Sequence, residues 1–134
     1  MSEANKAIVK RYFEEIWSKG NVDVIDELTG YPKERSDRLK QTVTGMHVSF
    51  PDIKYTVQEM VAEGDRVMAY WTAQGTHRGE YRGIAATGKP INYRGFDLYR
   101  LASGRIVERF GGFNDDLMLL QAIGAVTPPE QARR

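Results

Sequence analysis

The sequence contains no cysteine, and its two histidines are His47 and His77. The absence of cysteine excludes disulfides, thiolate nucleophiles and zinc sites that use thiolates. Two histidines are too few for us to propose a metal site of another kind. We therefore expect a protein that holds no metal and whose own side chains carry out no redox chemistry.

The chain also has almost no net charge, since 19 Lys and Arg stand against 18 Asp and Glu. Apart from the terminal Arg133-Arg134, the basic residues form no block that would bind nucleic-acid phosphates. The sequence contains no run of about 18 apolar residues, so it predicts no membrane-spanning helix. The first residues lack the charged and apolar regions of a signal peptide. We expect a cytoplasmic protein that binds neither nucleic acid nor membrane.

The composition indicates one globular domain rather than a disordered chain. Of the 134 residues, 41% are hydrophobic, 10% aromatic and 28% charged. A chain of this length can bury roughly two-thirds of its unfolded surface, so a packed core is expected. We predict one domain over residues 1–126 and a flexible C-terminal tail over residues 127–134, where Pro, Glu, Gln and Arg dominate.

Helical spacing dominates the first fifty residues. Apolar residues between Ile8 and Trp17 recur at intervals of one, three and four, which predicts an amphipathic helix facing a core. A short second helix is predicted over residues 24–28. A third is predicted from about Leu39 to the residue before Pro51, because the position before a proline is pushed out of the α region.

The pattern then changes to strands. Residues 53–57 alternate apolar and polar, residues 67–73 are β-branched and aromatic, and the Gly-containing turn between them predicts a hairpin. Residues 91–101 and 105–110 predict a second hairpin, and residues 117–123 predict a last short helix. Helices followed by antiparallel strands indicate an α+β fold. We expect the N-terminal helices to pack on one face of a curved antiparallel sheet that closes over a pocket.

Several segments carry a more specific signal in their order and spacing. Gly-Asp-Arg-Val alone is common, whereas Gly75-Thr76-His77-Arg78-Gly79 followed at this distance by Ile84-Ala85-Ala86-Thr87-Gly88 is not. The segments are residues 61–67, 75–79, 83–89, 96–100 and 104–108, with Phe50-Pro51-Asp52 before them and Gln121-Ala122-Ile123-Gly124 after them. Together they cover most of the chain, and they resemble the SnoaL-like polyketide cyclase family.

The resemblance implies a cone of helices and antiparallel sheet with an internal apolar pocket. Members of the family are usually oligomeric, so we expect a homodimer. In the best-known members the protein closes a ring on a polyketide ester by intramolecular aldol condensation without a cofactor. The resemblance therefore implies an apolar small-molecule ligand or substrate and no cofactor. Between Leu28 and Phe50 the sequence departs from the family, which has a longer segment there with a histidine.

The resemblance also implies catalytic residues. An aspartate after the last strand does the acid/base work in those members, and a histidine lies nearby. His77 matches the histidine, whereas the aspartate falls on Asn114 when counted forward from Phe110 and on Asp115 when counted back from Gly124. An amide cannot accept a proton at useful pH, so only Asp115 keeps a base there. Alternatively, Asp115 caps the last helix and His77 is a turn residue.

Aromatic residues and further carboxylates complete the predicted pocket. Asp97 has Arg94 and Arg100 three residues away on either side, which favours an ion pair at the sheet surface or a subunit interface over a catalytic role. Glu108 alternates with Ile106 and Phe110, which would let it face the cavity as a second carboxylate, although such a residue more often pairs with an arginine. We expect the pocket-lining residues to be Trp17, Tyr70, Trp71, Phe96, Glu108 and Phe110.

These observations leave three hypotheses for the function. The first is a cofactor-independent cyclase, isomerase or lyase that acts on an apolar carbonyl compound, with Asp115 as base and His77 as its partner. The second is a small-molecule-binding protein that keeps the pocket without the chemistry. The third is an epoxide or ester hydrolase with Arg94, Asp97 and Asp115 as a cluster, although residues three apart on a straight strand point to opposite faces.

Overall fold

The computed structural model describes residues 2–126, so the predicted tail lies outside the described residues. Helices come first along the chain, four strands follow, and a short helix closes the described part. The elements are α1 (Ser2–Arg11), a π-helical continuation (Tyr12–Ser18), a 3-10 turn (Val22–Val24), α2 (Ile25–Leu28), α3 (Lys33–Ser49), β1 (Lys54–Glu63), β2 (Arg66–Thr76), β3 (Pro90–Ala102), β4 (Arg105–Asn114) and α4 (Asp116–Ala122).

The four strands form one antiparallel sheet in the order β1-β2-β3-β4, so the α+β prediction is confirmed. Each strand pairs with the next along the chain, as consecutive hairpins require. The β3–β4 turn consists of Ser103 and Gly104, with φ angles of 52° and 76°. Two positive φ values are what a two-residue type I′ turn needs, and they match the twist of the flanking strands.

The helices cover the inner face of the sheet. Val9, Phe13 and Ile16 are buried on the predicted amphipathic stripe, and α1 and its π-helical continuation contact β1 and β2. Alternate residues of β3 from Ile91 to Leu101 are buried while their neighbours are exposed or half-buried. This period of two is that of a strand with one face on a core. Within residues 2–126, no helix is long and apolar enough to cross a membrane.

α3 begins earlier than the apolar spacing predicted. It starts at Lys33 rather than near Leu39 and includes the polar stretch before it. Lys33 Nζ lies 2.8 Å from Asp37 Oδ2 one turn later, which is an i,i+4 pair of the kind that supports a solvent-exposed helical turn. The extra turns place Arg35 and Arg38 on the same helix as the predicted apolar positions.

The register of β4 against β3 slips between Arg100 and Leu101, and this changes which way Glu108 points. Leu101 pairs with Ile106 while Arg100 pairs with Glu108, so Val107 is an extra residue in β4. Cross-strand partners share a face of the sheet. Glu108 therefore lies on the outer face with Arg100, whose Nε donates to Glu108 Oε1 at 3.0 Å. The predicted cavity-facing position of Glu108 is wrong, because the bulge breaks its alternation with Ile106, whereas the alternative of a pair with an arginine describes its position.

A second slip leaves Phe110 as the extra residue. Leu98 pairs with Gly111 and Tyr99 with Arg109, so Arg109 takes the inner face beside Tyr99. Phe110 turns outward, where the guanidinium of Arg66 lies 4.2 Å above its ring. The bulge thus places an arginine, instead of an apolar side chain, on the inner face of the sheet, where it lines the cavity.

Candidate active site

A cavity of about 460 Å³ lies between the inner face of the sheet and the helices. Its volume is in the range of small-molecule sites. Six of the seven tyrosines and both tryptophans of the chain line it. Its aromatic wall is formed by Tyr12, Phe13, Trp17, Tyr31, Tyr55, Trp71, Tyr81, Tyr93 and Tyr99. Such a wall fits a flat apolar ligand that carries oxygen atoms, because tyrosine offers both ring surface and a hydroxyl.

Asp97 is the buried carboxylate of the cavity, with 6% of its surface exposed. Trp71 Nε1 donates to Asp97 Oδ2 at 3.1 Å, and the Tyr99 hydroxyl donates to the same oxygen at 3.0 Å. Arg109 donates to Asp97 Oδ1 from Nε at 2.9 Å and from Nη2 at 2.7 Å. Four donors therefore hold the carboxylate in one orientation.

Burial raises the pKa of Asp97, because the charged form loses solvation in the interior. The positive charge of Arg109 and the hydrogen bonds from Arg109, Tyr99 and Trp71 oppose this rise without cancelling it. A carboxylate with a raised pKa is a stronger base than one in water. Asp97 thus has the properties of a general base at the wall of an aromatic cavity.

Two glycines make room for this arrangement. Gly112 pairs with Asp97 across the sheet, and a Cβ at Gly112 would overlap both Asp97 Oδ1 and Arg109 Nη2. Gly95 pairs with Trp71 on the other side of β3, and a Cβ there would overlap the indole ring. Any larger residue at either position would have to displace the groups around the carboxylate.

A pair of tyrosine hydroxyls marks another part of the cavity. The Tyr55 and Tyr93 hydroxyl oxygens lie 3.1 Å apart. Burial raises the pKa of both phenols, so both keep their protons at neutral pH. They can donate hydrogen bonds to a ligand oxygen. Asp116 also lines the cavity, but its side chain is 46% exposed and lies 3.8 Å from Arg82.

The structure places only part of the predicted pocket residues on the cavity. Trp17, Trp71 and Asn114 line it. Tyr70 and Phe96 do not, because each neighbours an inward-facing residue of its strand and so points to the outer face. There the two rings stack at 5.0 Å. Together with Glu108 and Phe110, they lie outside the cavity.

Asp115 is the N-cap of α4. Its Oδ1 accepts a hydrogen bond from the backbone N–H of Met118 at 3.1 Å, and its Oδ2 lies 3.6 Å from Arg94 Nε. It does not line the cavity. The capping alternative therefore describes its position, and the extended β4 places Asn114, one residue earlier, on the cavity wall.

His77 is fully buried away from the cavity wall. Its Nδ1 lies 3.0 Å from the Thr87 hydroxyl, and its ring packs on Phe50 at 5.6 Å. The backbones of His77 and the 87–89 turn are also hydrogen-bonded, with His77 N–H donating to the Lys89 carbonyl at 2.9 Å. The structure thus does not bring His77 and Asp115 together at the cavity, and His77 ties down the loop before β3.

The predicted surface ion pair of Asp97 with Arg94 or Arg100 is wrong. Both arginines lie on the outer face, while Asp97 lies inside with Arg109, which is distant in sequence. The Arg94–Asp97–Asp115 cluster of the hydrolase hypothesis is likewise not formed, since only Arg94 and Asp115 meet. Asp97 lies an even number of positions from both Tyr93 and Tyr99 along β3, and this spacing is the sequence signal that predicts a shared, inward-facing side of the strand.

A family model described as SnoaL-like polyketide cyclase matches residues 7–123. The chain belongs to this family. No curated protein matches it.

Solved structures share the SnoaL-like fold. TsrD from Streptomyces laurentii is 19% identical with a TM-score of 0.82, covering 94% of this chain and 99% of its own. A candidate polyketide cyclase from Acidithiobacillus ferrooxidans is 25% identical with a TM-score of 0.78, covering 90% and 94%. AclR from Streptomyces galilaeus, a candidate hydroxylase, is 22% identical with a TM-score of 0.82, covering 99% and 90%. Similar folds thus carry different proposed activities, and function has to be argued from the site.

Proposed function

We propose that this SnoaL-like protein catalyses cofactor-independent proton transfer on an apolar carbonyl compound, as a cyclase or isomerase, with Asp97 as the base. The observation that supports this most strongly is the position of Asp97. Of the two carboxylates that line the cavity, Asp97 is buried with a raised pKa, whereas Asp116 is half exposed. A base needs both contact with the ligand and a pKa suited to its task.

The reaction begins when Asp97 takes a proton from the carbon next to the ligand carbonyl. The C–H electron pair moves into the C–C bond, and negative charge develops on the carbonyl oxygen. Arg109 stabilises this enolate, since its Nη1 has no hydrogen-bond partner within residues 2–126 while Nε and Nη2 hold Asp97. Tyrosine hydroxyls of the wall can donate to the same oxygen.

The enolate then reacts in one of two ways. In an isomerisation, Asp97 returns the proton to another carbon of the same enolate system. In a ring closure, the enolate carbon forms a bond to a second carbonyl carbon, whose C–O π electrons become an alkoxide. That alkoxide takes the proton held by Asp97, so the carboxylate is regenerated. Neither route consumes a cofactor, in agreement with the family resemblance.

A second candidate function is binding without chemistry. Both oxygens of Asp97 already accept hydrogen bonds, and two of these bonds come from the Arg109 cation. The bonds stabilise the charged carboxylate and so reduce its basicity. Asn114 also lines the cavity, and its amide cannot act as a base. These features suit a protein that holds a carbonyl compound and does not transform it.

The deciding experiment measures α-proton exchange of 1-tetralone in D2O by NMR with wild type, Asp97→Asn and Asp115→Asn. Loss of general-base catalysis lowers a rate by about 10²–10⁴-fold, so we expect D97N to lose at least 100-fold. D115N is the matched control, because asparagine caps a helix as well as aspartate. Exchange that survives in D97N and disappears in D115N would make Asp115 the base.

Binding is measured on the same samples by tryptophan fluorescence. Trp17 and Trp71 are the two tryptophans of the chain, and both line the cavity, so their emission reports occupancy. D97N that still binds 1-tetralone without exchange supports the catalytic assignment. Wild type that binds without exchange supports the binding protein instead.

We also propose a homodimer formed through the outer face of the sheet. Met68, Phe96, Phe110 and Phe113 lie there with exposures of 43%, 43%, 41% and 55%. They line one shallow surface site, and contiguous exposed apolar residues mark protein–protein contacts. Sedimentation velocity of Phe113→Glu should show a monomer, whereas Val48→Glu, at a 61% exposed position on α3, should remain dimeric. A monomeric wild type would refute the dimer.

A further inference from the structure

The charged residues of the cavity wall are not balanced. Four arginines and two aspartates line it. Each aspartate has an arginine partner, since Arg109 lies 2.7 Å from Asp97 and Arg82 lies 3.8 Å from Asp116. Two arginines remain, so the cavity has an excess of two positive charges. Charges of one sign that line a cleft attract an anion more strongly than the same charges on a flat surface.

The remaining two are Arg35 and Arg38 on α3, one turn apart on one face of the helix. Within residues 2–126, neither guanidinium has a carboxylate within 4.0 Å. The other cations of the same helix differ. Lys33 lies 2.8 Å from Asp37, and Lys40 lies 3.8 Å from an aspartate of α2. The helix thus pairs its outward cations and leaves its cavity-facing cations unpaired.

Arg35 is held in place by an aromatic ring. Its guanidinium carbon lies 4.1 Å from the centre of the Tyr31 ring, the distance of a cation–π contact. A long side chain that is already oriented loses less freedom when it binds a ligand. The fixed guanidinium plane also suits the planar, two-oxygen geometry of a carboxylate.

Tyr31 connects this arginine pair to the proposed base. Burial raises the pKa of Tyr31, and the charges of Arg35 and Arg109 oppose the rise while that of Asp97 adds to it. The Tyr31 hydroxyl is therefore close enough to feel all three charges. Tyr31, the two unpaired arginines and the Asp97–Arg109 pair all line the same cavity.

We propose that the ligand is an apolar keto acid, whose carboxylate binds Arg35 and Arg38 while its ketone faces Arg109 and Asp97. The orientation of the ketone rests on the proposed function, whereas the binding of the carboxylate does not. The anionic group supplies the charge that the wall lacks. It also orients the ligand, because only one end of an aromatic cavity attracts it.

The test compares 4-oxo-4-phenylbutanoate with its methyl ester, which differ in the charge and keep the same ketone. Binding is measured by tryptophan fluorescence with wild type, Arg35→Gln/Arg38→Gln and the control Lys33→Gln/Lys40→Gln. The control loses the same net charge from the outward side of the same helix. One charge-assisted hydrogen bond corresponds to about tenfold in affinity.

We expect wild type and the control to bind the acid about tenfold more tightly than the ester. The arginine double variant should lose this preference and bind the ester as wild type does. The proposal is overturned if wild type binds acid and ester equally, if it does not bind the acid at millimolar concentration, or if the preference persists without the two arginines.

The same samples separate this inference from the proposed function. Deuterium exchange at the methylene next to the ketone reports the chemistry, and fluorescence reports the binding. A preference for the acid without exchange refutes the proton-transfer proposal and leaves the carboxylate site intact. Exchange on the ester as fast as on the acid, with no preference in binding, refutes the carboxylate site and leaves the chemistry intact.

Discussion

Replacing Arg109 with methionine tests how much the Asp97–Arg109 ion pair contributes to stability. The substitution keeps an unbranched apolar stem and removes the cation, together with hydrogen bonds of 2.9 and 2.7 Å to Asp97 Oδ1. Trp71 and Tyr99 remain as donors to the other oxygen. The variant thus leaves a buried carboxylate with half of its partners.

Removing one partner of a buried ion pair costs about 3–5 kcal/mol. The Arg109 side chain is 37% exposed, so water partly replaces it after the substitution. We therefore expect a smaller loss of unfolding free energy, about 2 kcal/mol at neutral pH. The matched control is Arg100→Met, which breaks the outer-face pair with Glu108 and should cost under about 1 kcal/mol.

The loss should depend on pH, with a sign set by Asp97. The folded-state pKa of Asp97 is already raised by burial, and the loss of Arg109 raises it further. Between the unfolded and folded pKa values the folded state binds more protons, so stability falls as pH rises. Once the pH is low enough for the carboxyl to be protonated in the folded state of both proteins, the extra cost disappears.

The assay is urea unfolding of wild type and both variants between pH 4.5 and 8. The R109M deficit should grow with pH by up to about 1.4 kcal/mol per unit until Asp97 has titrated, while the R100M deficit stays flat. Adding Asp97→Asn to R109M should remove the pH dependence. A deficit of the same size at pH 4.5 and 8 would refute the argument that a buried, charge-dependent pair holds this wall.

Two further substitutions test the surroundings of the pair. Asp115→Ala should lower the unfolding free energy by about 1 kcal/mol through loss of the helix cap, whereas Asp115→Asn should change it by about a few tenths of a kcal/mol. Urea unfolding measures both, and equal losses would contradict the capping role. Gly112→Ala should force the Asp97–Arg109 pair apart, which should lower the unfolding free energy by about 1–3 kcal/mol and remove most of the proton exchange. A variant with wild-type stability and exchange would show that the pair does not need the space at Gly112.

Much of the fold follows from period and turn chemistry. The two hairpins are predicted from strand-like runs, one alternating and one β-branched and aromatic in the first hairpin, and from the Gly-containing turns that separate the runs, as in the Ser103-Gly104 turn. α3 was predicted too short, because its first turns are stabilised by charge pairs such as Lys33–Asp37 and present little apolar periodicity. Pattern alone detects the buried face of an element better than its exposed ends.

The site was less accessible from sequence. β4 was predicted to end near Phe110, whereas it runs through Gly111 and Gly112 to Asn114, and two bulges change its alternation. A bulge adds a residue without a reliable sequence mark, yet it reverses the face of every residue beyond it. That reversal moves Glu108 out and brings Arg109 in, so the partner of Asp97 could not be read from neighbours in sequence.

The end of β4 is equally ambiguous in the sequence. The spacing from Phe110 places the family aspartate at Asn114, whereas the spacing from Gly124 places it at Asp115. The structure places the amide on the cavity wall and the carboxylate on the N-terminus of α4. The catalytic part of that prediction stays open to the exchange experiment, whereas the geometry favours Asp97 on the facing strand.

The most direct measurement is a carboxyl-carbon NMR titration of Asp97, in the free protein and with 1-tetralone bound. We expect the pKa of Asp97 to lie above the ordinary value of about 3.9 for aspartate and to change further when the ketone fills the cavity. If the pKa of Asp97 is ordinary and does not respond to the ketone, whereas the carboxyl signal of Asp115 does, Asp97 is not the base and the catalytic role returns to the helix cap.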